Sequence, residues 1–194
     1  MDLFHYQSEK ILKKEAPLAN RLRPNTLDEF IGQEHIVGKD TLLYRAIKAD
    51  KLSSLILYGP SGTGKTTLAK IIANTTKSIF IQINGVTSGT KDIKEIVEKA
   101  KITLLNGKKT ILFIDEIHRF NKSQQDTLLP HVEDGTIILI GATTENPYFE
   151  VNRALISRSI IFKLEPLSTN AITQIIRRAI DNKENGLGYF NIKI

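Results

Sequence analysis

One eight-residue run constrains this chain more than any other feature: Gly59-Pro60-Ser61-Gly62-Thr63-Gly64-Lys65-Thr66 matches G-x-x-x-x-G-K-[ST]. The pattern carries meaning only between a strand and a helix. Here it has both, the apolar run Ser54–Tyr58 before it and a helical pattern opening near Lys65. The glycines let backbone N–H groups turn toward phosphates, and the helix start adds its partial positive charge. Lys65 then reaches the outer phosphates and the Thr66 hydroxyl ligates a magnesium ion, with Thr67 beside it in the same first turn. Context favours this reading over a glycine-rich turn without a ligand. The implied ligands are ATP and Mg2+.

The rest of the pattern is that of an α/β chain. Strands are expected near Ser54–Tyr58, Ile79–Ile83, Thr110–Ile114, Thr136–Ile140 and Ile160–Leu164, alternating with helical periods. That alternation is the signature of a parallel sheet wrapped by helices; with the phosphate loop at Gly59–Thr66 the expected fold is a P-loop NTPase with a five-stranded parallel sheet. Between the second and third strands, Ile93, Ile96, Val97, Ala100 and Leu104 mark the buried face of a surface helix, with Glu95 and Lys99 paired on the other. A second helix is expected over Lys122–Glu133, burying Leu128, Leu129 and Val132 and ending before Gly135.

A magnesium site needs a carboxylate at the end of a neighbouring strand, and Asp115 stands there. Glu116, one residue on, is placed to polarise an attacking water as general base. A whole strand and helix separate Lys65 from Asp115, so another strand is expected between the two motif strands in the sheet. Glu beside Asp favours ATP hydrolysis over a GTPase or small-molecule kinase. The fourth strand runs out through Gly141-Ala142-Thr143-Thr144-Glu145-Asn146-Pro147. Thr144 is the choice there for a side chain that contacts the water or γ-phosphate; the competing reading is a hydroxyl that merely terminates a strand. Ser157-Arg158 precedes the fifth strand, where Arg158 can face a neighbouring subunit as an arginine finger or stay a solvated surface charge.

Residues 1–15 read as an N-terminal extension, 16–166 as the nucleotide-binding core and 167–194 as the beginning of a helical lid. Ser168 or Thr169 caps a helix carrying Ile172, Ile175, Ile176 and Ala179, which Gly186-Leu187-Gly188 breaks. One helix cannot bury its own apolar face. The lid is therefore expected to be incomplete and the chain to be the front of a longer protein.

Composition narrows the function classes. With 27 Lys and Arg against 21 Asp and Glu, the chain carries +6, which admits a polyanionic partner. The absence of cysteine excludes disulfides, thiolate metal sites and cysteine nucleophiles. Apolar runs such as Ile111–Ile114 are strand-sized, far short of the ~20 residues of a membrane span. No basic segment followed by an apolar one marks a secretory signal near Met1. A soluble cytoplasmic protein is expected.

Together the P-loop, Asp115-Glu116, the Thr143-Thr144 strand end and Ser157-Arg158 resemble the clamp-loader branch of AAA+ ATPases. Pro17-Leu18-Ala19 with Arg21-Leu22-Arg23-Pro24, Gly32-Gln33-Glu34-His35 and the long run from Asp115 to Asp126 are more specific. They resemble the replication-associated recombination protein A family, over roughly Ala16 to Gly188. The resemblance implies a DNA-dependent ATPase acting at stalled forks and single-strand/double-strand junctions. It also implies a homo-oligomer, single-strand-binding protein as a partner and a nucleoid-associated place in the cytoplasm.

In such relatives the segment before the P-loop embraces the adenine, which makes Ile36 and Val37 base-contact candidates, against ordinary core packing. The second sensor arginine and the oligomerisation region of the family are expected beyond this chain. For DNA, Thr90 and Lys91 at a helix start and the basic pair Arg119 and Lys122 can take backbone phosphates, or be solvated charges. His118 reads either as a support to the acidic pair or as a packed or exposed histidine. Competing functions are a clamp-loader subunit, a Holliday-junction branch-migration motor and, in another class, a nucleotide-dependent scaffold with little turnover.

Overall fold

A computed structural model describes residues 15–190. Within them the chain forms two compact units, one spanning Asn25–Pro166 and the other made of residues 15–24 with 167–190. Helices α1 (Leu18–Arg21), α2 (Glu34–Val37) and α3 (Leu42–Lys48) precede strand β1 (Leu55–Tyr58), and α4 (Lys65–Thr75) follows it. Then come β2 (Ile79–Asn84), α5 (Thr90–Leu105), β3 (Thr110–Asp115), a 3₁₀ turn at Ile117–Arg119, α6 (Lys122–Glu133) and β4 (Ile138–Thr143). The short α7 (Pro147–Glu150) and α8 (Arg153–Ile156) lead to β5 (Ile160–Lys163), and α9 (Thr169–Asp181) follows.

The five strands form one sheet in the order β2-β3-β4-β1-β5, every pairing parallel. β4 therefore lies between the strand that enters the P-loop and the strand that ends at Asp115, as the sequence spacing implies. The side-chain period of a strand is two, so Leu55 and Leu57 pack with Leu43, Leu68 and Ile72 on one face. Ile56 turns to the other face, among Ile93, Val97 and Leu128. Leu55, Ile56, Leu57 and Ile111 to Ile114 are buried on both faces, which is why these strands are continuous apolar runs rather than alternating ones.

The strand expected at Thr136–Ile140 sits further along, at Ile138–Thr143. Thr136 and Ile137 belong to the turn, their N–H groups held by Asp134 Oδ1 and the His131 carbonyl. Gly141, Ala142 and Thr143 read as a polar exit in the sequence but pair with Ile56, Leu57 and Tyr58 of β1. A Cβ at Gly141 would stand 2.9 Å from Ile117 Cδ1, so the glycine gives that side chain its room. In α5 Leu104 is 44% exposed rather than buried, and the ion pair formed is Lys101 with Glu98, not Glu95 with Lys99. Helix α6 has the bounds expected of it, capped by Asn121 and Gln124 in a reciprocal box; Leu128 is buried, Leu129 and Val132 half-buried.

In the smaller unit, Ser168 caps α9 by accepting the Ala171 N–H at 3.2 Å. Ile172, Ile175 and Ile176 lie 46%, 41% and 48% exposed, the unburied apolar stripe of an amphipathic helix. No described helix is long and apolar enough to cross a membrane.

Candidate nucleotide site

The phosphate loop follows the end of β1. Gly59 has φ +147°, and a Cβ there would lie 2.2 Å from the Leu164 carbonyl oxygen, so only glycine can start this turn. Thr63, 3% exposed, ties the loop to itself through a 2.9 Å bond from its hydroxyl to the Pro60 carbonyl. Lys65 opens α4, 9% exposed, and its ammonium donates to the Gly59 and Pro60 carbonyls at 2.6 and 2.9 Å. Burial holds its pKa below the usual lysine value, and the negative charges of Asp115 and Glu116 partly oppose that shift. A polyphosphate would reverse the penalty by supplying the anion the buried ammonium lacks. Thr66 and Thr67 are half-buried beside it in the first turn of α4, and Ser61 and Gly62 are exposed at the loop tip.

The acidic pair stands at the end of β3, with Asp115 in register with Asn84 of β2. Glu116 has φ +54°, a left-handed conformation uncommon for a residue with a side chain and found where a site dictates it. Gly85 makes that turn possible: a Cβ on it would meet the Glu116 carbonyl oxygen at 2.3 Å. The Glu116 carboxylate lies 3.4 Å from His118 Nδ1, and the same ring nitrogen is hydrogen-bonded to Thr143 Oγ1 at 2.9 Å. Thr143, fully buried at the end of β4, also accepts the Glu145 N–H at 2.9 Å. His118 therefore lies between Glu116, just past β3, and the end of the neighbouring strand. The ring is both packed, with its side chain 8% exposed, and within 3.4 Å of Glu116.

Among the described residues no group of three or more His, Cys, Asp or Glu could hold a metal ion by itself. One strand-end carboxylate, Asp115, and one hydroxyl, Thr66, are the donors that magnesium takes when substrate phosphates and water complete its shell. The donor chemistry fits that ion.

The remaining expected site residues divide. Thr144 is exposed, one residue past β4, while the hydroxyl engaged in the network is that of Thr143. Ile36 and Val37 are 3% and 9% exposed in the core that backs α4. Of the two readings given for them, packing is what their burial displays. At the start of α5, beside Thr90 and the exposed Lys91, the Gly89 N–H donates to Asp92 Oδ2 at 2.7 Å, so this helix end carries its own carboxylate. Arg119 and Lys122 are exposed beyond Glu116, and Gln124 reaches the Ser88 carbonyl at 3.3 Å, which sets the openings of α5 and α6 side by side.

Arg158 lies at the other end of the sheet, where the strands begin, since the Ile160 N–H donates to the Ser54 carbonyl. It pairs with Glu133 at 2.6 Å and donates to the Ala154 carbonyl at 2.9 Å. The length of β1, roughly 13 Å at ~3.3 Å per residue, separates it from the P-loop of its own chain.

One residue that positions the site escaped the sequence reading. Gln33, 4% exposed and left-handed at φ 63°, donates to the Glu165 carbonyl at 2.6 Å and accepts the Glu165 N–H at 2.9 Å. A weaker 3.4 Å bond reaches the Thr63 carbonyl, so one amide clips the segment before β1, the P-loop and the exit of β5 together. The Gly32-Gln33 dipeptide was visible, but nothing local marks this glutamine as buried.

Fold and site define a P-loop ATPase domain of the AAA+ type. Comparison with known proteins agrees. The family of the Holliday junction DNA helicase RuvB P-loop domain matches residues 22–156. The solved RuvB Holliday junction branch migration motor of Thermotoga maritima is 37% identical, with a TM-score of 0.69 over 83% of this chain and 54% of that one. Replication-associated recombination protein A of Escherichia coli is 53% identical over 172 residues, 89% of this chain and 38% of that protein. The ATPase WRNIP1 of Dictyostelium discoideum is 52% identical over 87% of this chain and 19% of its own. The chain belongs to the RuvB P-loop family of AAA+ ATPases, in the group whose members are named replication-associated recombination protein A. It spans about two fifths of the length of the bacterial relatives it matches.

Proposed function

We propose that this domain powers a DNA-dependent ATPase that works at stalled replication forks and single-strand/double-strand junctions. The observation that carries the reading is the meeting, at one end of the sheet, of a buried unneutralised lysine with the Asp115-Glu116 pair. The ammonium of Lys65 exchanges its two loop carbonyls for the β- and γ-phosphate oxygens of ATP. Glu116, steadied by His118, accepts the proton of a water that attacks the γ-phosphorus in line. The new P–O bond forms as the bond to the bridging oxygen breaks, and ADP and phosphate leave. Thr66 and Asp115 would hold a magnesium ion, which would neutralise phosphate charge there. Thr144, exposed just past β4, is assigned to sensing the γ-phosphate.

Because Arg158 is a strand length from its own P-loop, its action on a phosphate would fall on a second copy. That supports a homo-oligomer with shared sites. The Glu133 pair would then be exchanged for the neighbour's γ-phosphate. Arg119, Lys122, Thr90 and Lys91 are assigned to DNA phosphates, single-strand-binding protein to the partners, and the nucleoid to the location. A branch-migration motor is the second reading, favoured by the likeness to the RuvB motor.

The test is turnover of the full-length protein on single strands, duplexes, forks and four-way junctions, for wild type and Glu116→Gln. Stimulation by forks that Glu116→Gln abolishes supports the proposal, and stimulation confined to four-way junctions favours the motor. No stimulation by any DNA removes the nucleic-acid reading. An inert wild type leaves a nucleotide-dependent scaffold.

A further inference from the structure

Tyr148 and Phe149 are 61% and 83% exposed, side by side on the four-residue helix α7. Two adjacent large rings in water are costly, and such exposure marks a contact surface. Here the rings are not on a loose loop. Pro147 and Val151, on either side of them, are buried, and Asn146 caps α7 by accepting the Tyr148 N–H at 3.1 Å. Gln125 of α6, 2% exposed, donates to the Phe120 and Glu150 carbonyls at 2.9 and 3.3 Å and accepts the Asn152 N–H at 2.7 Å. Asn152 in turn donates to Asp126. A fully employed buried amide thus mounts the α7 turn on α6 and holds both rings outward.

The rings border a cavity of about 490 Å³ whose wall also carries Lys122, Arg153 and Glu150. Lys122 and Arg153 are exposed, and among the described residues neither side chain has an ion-pair or hydrogen-bond partner. Two available cations against one carboxylate, around the same cavity as two aromatic rings, match a single nucleic-acid strand: rings stack on bases while cations follow phosphates. A protein partner fits less well, since lysine is depleted from the centre of protein interfaces. Duplex DNA keeps its bases stacked on one another and offers these rings nothing to stack on.

We propose that Tyr148 and Phe149 form a stacking platform for unpaired bases of single-stranded DNA, with Lys122 and Arg153 as its phosphate contacts. The inference rests on the DNA-dependent reading above and names the strand type and the residues. It ties the DNA contact to the segment that runs from Thr144 to Arg158, between the expected sensor and the expected finger.

The experiment uses the full-length protein, a labelled oligothymidylate and a duplex of equal length. Phe149→Ala and Tyr148→Ala are each expected to weaken oligothymidylate binding about tenfold. Duplex affinity and DNA-free ATP turnover should stay unchanged, the latter also reporting an intact fold. Phe149→Trp should restore binding. Lys122→Ala and Arg153→Ala should each flatten the dependence of log affinity on log salt by about 0.7. Wild-type binding that Phe149→Ala leaves untouched overturns the platform while DNA dependence stands. A wild type that binds neither DNA overturns the underlying reading. If Phe149→Ala instead breaks up the oligomer in sedimentation and leaves DNA affinity as it was, the face is a contact between copies and the platform is wrong.

Discussion

The two ends of the parallel sheet are built on different terms. Where the strands end, Lys65 is bonded to the carbonyls of its own loop and His118 lies between Glu116 and Thr143, all partly or wholly buried, and the loops between them are locked by Gln33 and Gly85. Where the strands begin, Arg158 rests in a half-exposed pair with Glu133, beside an open cavity of about 420 Å³ that also touches Ser54 and Ile137. Charges in low dielectric interact strongly and hold their geometry; a solvent-exposed pair is worth about 0–1 kcal/mol and is readily exchanged. The first end holds its groups fixed in place, and the second holds an arginine in a pair that solvent reaches.

Lys65→Met should break the contrast most completely. Calorimetric ATP binding is expected to vanish, because the one buried cation of the loop is gone. Apo stability should not fall. The folded chain holds the Lys65 proton less tightly than the unfolded one, so the unfolded state binds more protons and wild-type stability rises with pH. That rise spans the interval from the lowered folded value up to the ordinary lysine value of 10.5. Denaturant titrations of apo wild type and Lys65→Met across alkaline pH should differ by this slope, and identical slopes would refute a desolvated lysine.

Next comes Arg158→Ala, with a loss of roughly 10³ or more in turnover by the assembled full-length protein and unchanged ATP affinity. Mixing it with Lys65→Met subunits should recover some activity if the arginine serves a neighbour; no recovery at any ratio would return it to a structural pair with Glu133. Glu116→Gln should keep ATP binding and lower turnover about 10² to 10⁴-fold, the range for a lost general base. His118→Ala should lower kcat about tenfold, through loss of the 3.4 Å contact that steadies the Glu116 carboxylate, with ATP affinity unchanged. Equal changes in kcat and affinity would mean that His118 holds the whole strand end rather than Glu116. The smallest effect is Gln125→Ala, expected to cost about 1–3 kcal/mol in denaturant unfolding while nucleotide binding persists.

Much of this was legible from local pattern. The P-loop, the ends of four strands and the whole of α6 were readable because their signals are short: glycines at a turn, continuous apolar runs, an N-cap with its glutamine. The end of β4 was misread because Gly141-Ala142-Thr143 looks like a polar exit, and only pairing with β1 makes it strand. The strand runs three residues further than its apolar run, and the buried hydroxyl of Thr143 at its end is bonded to His118. His118 and Gln33 had no local sign of burial. Their partners, Thr143 and Glu165, lie 25 and 132 residues away.

By itself, the sequence determined which groups are present: a phosphate loop, an acidic pair, an arginine before the last strand and a parallel sheet to carry them. Those depend on residue type and on separations within one turn or strand, where covalent geometry dictates position. Tertiary structure alone decided which of these groups meet. It inserted β4 between β1 and β3, brought His118 between Glu116 and Thr143, put Arg158 out of reach of its own P-loop and fastened Tyr148 and Phe149 outward. Such meetings arise from packing between segments distant in the chain, and no local periodicity encodes them.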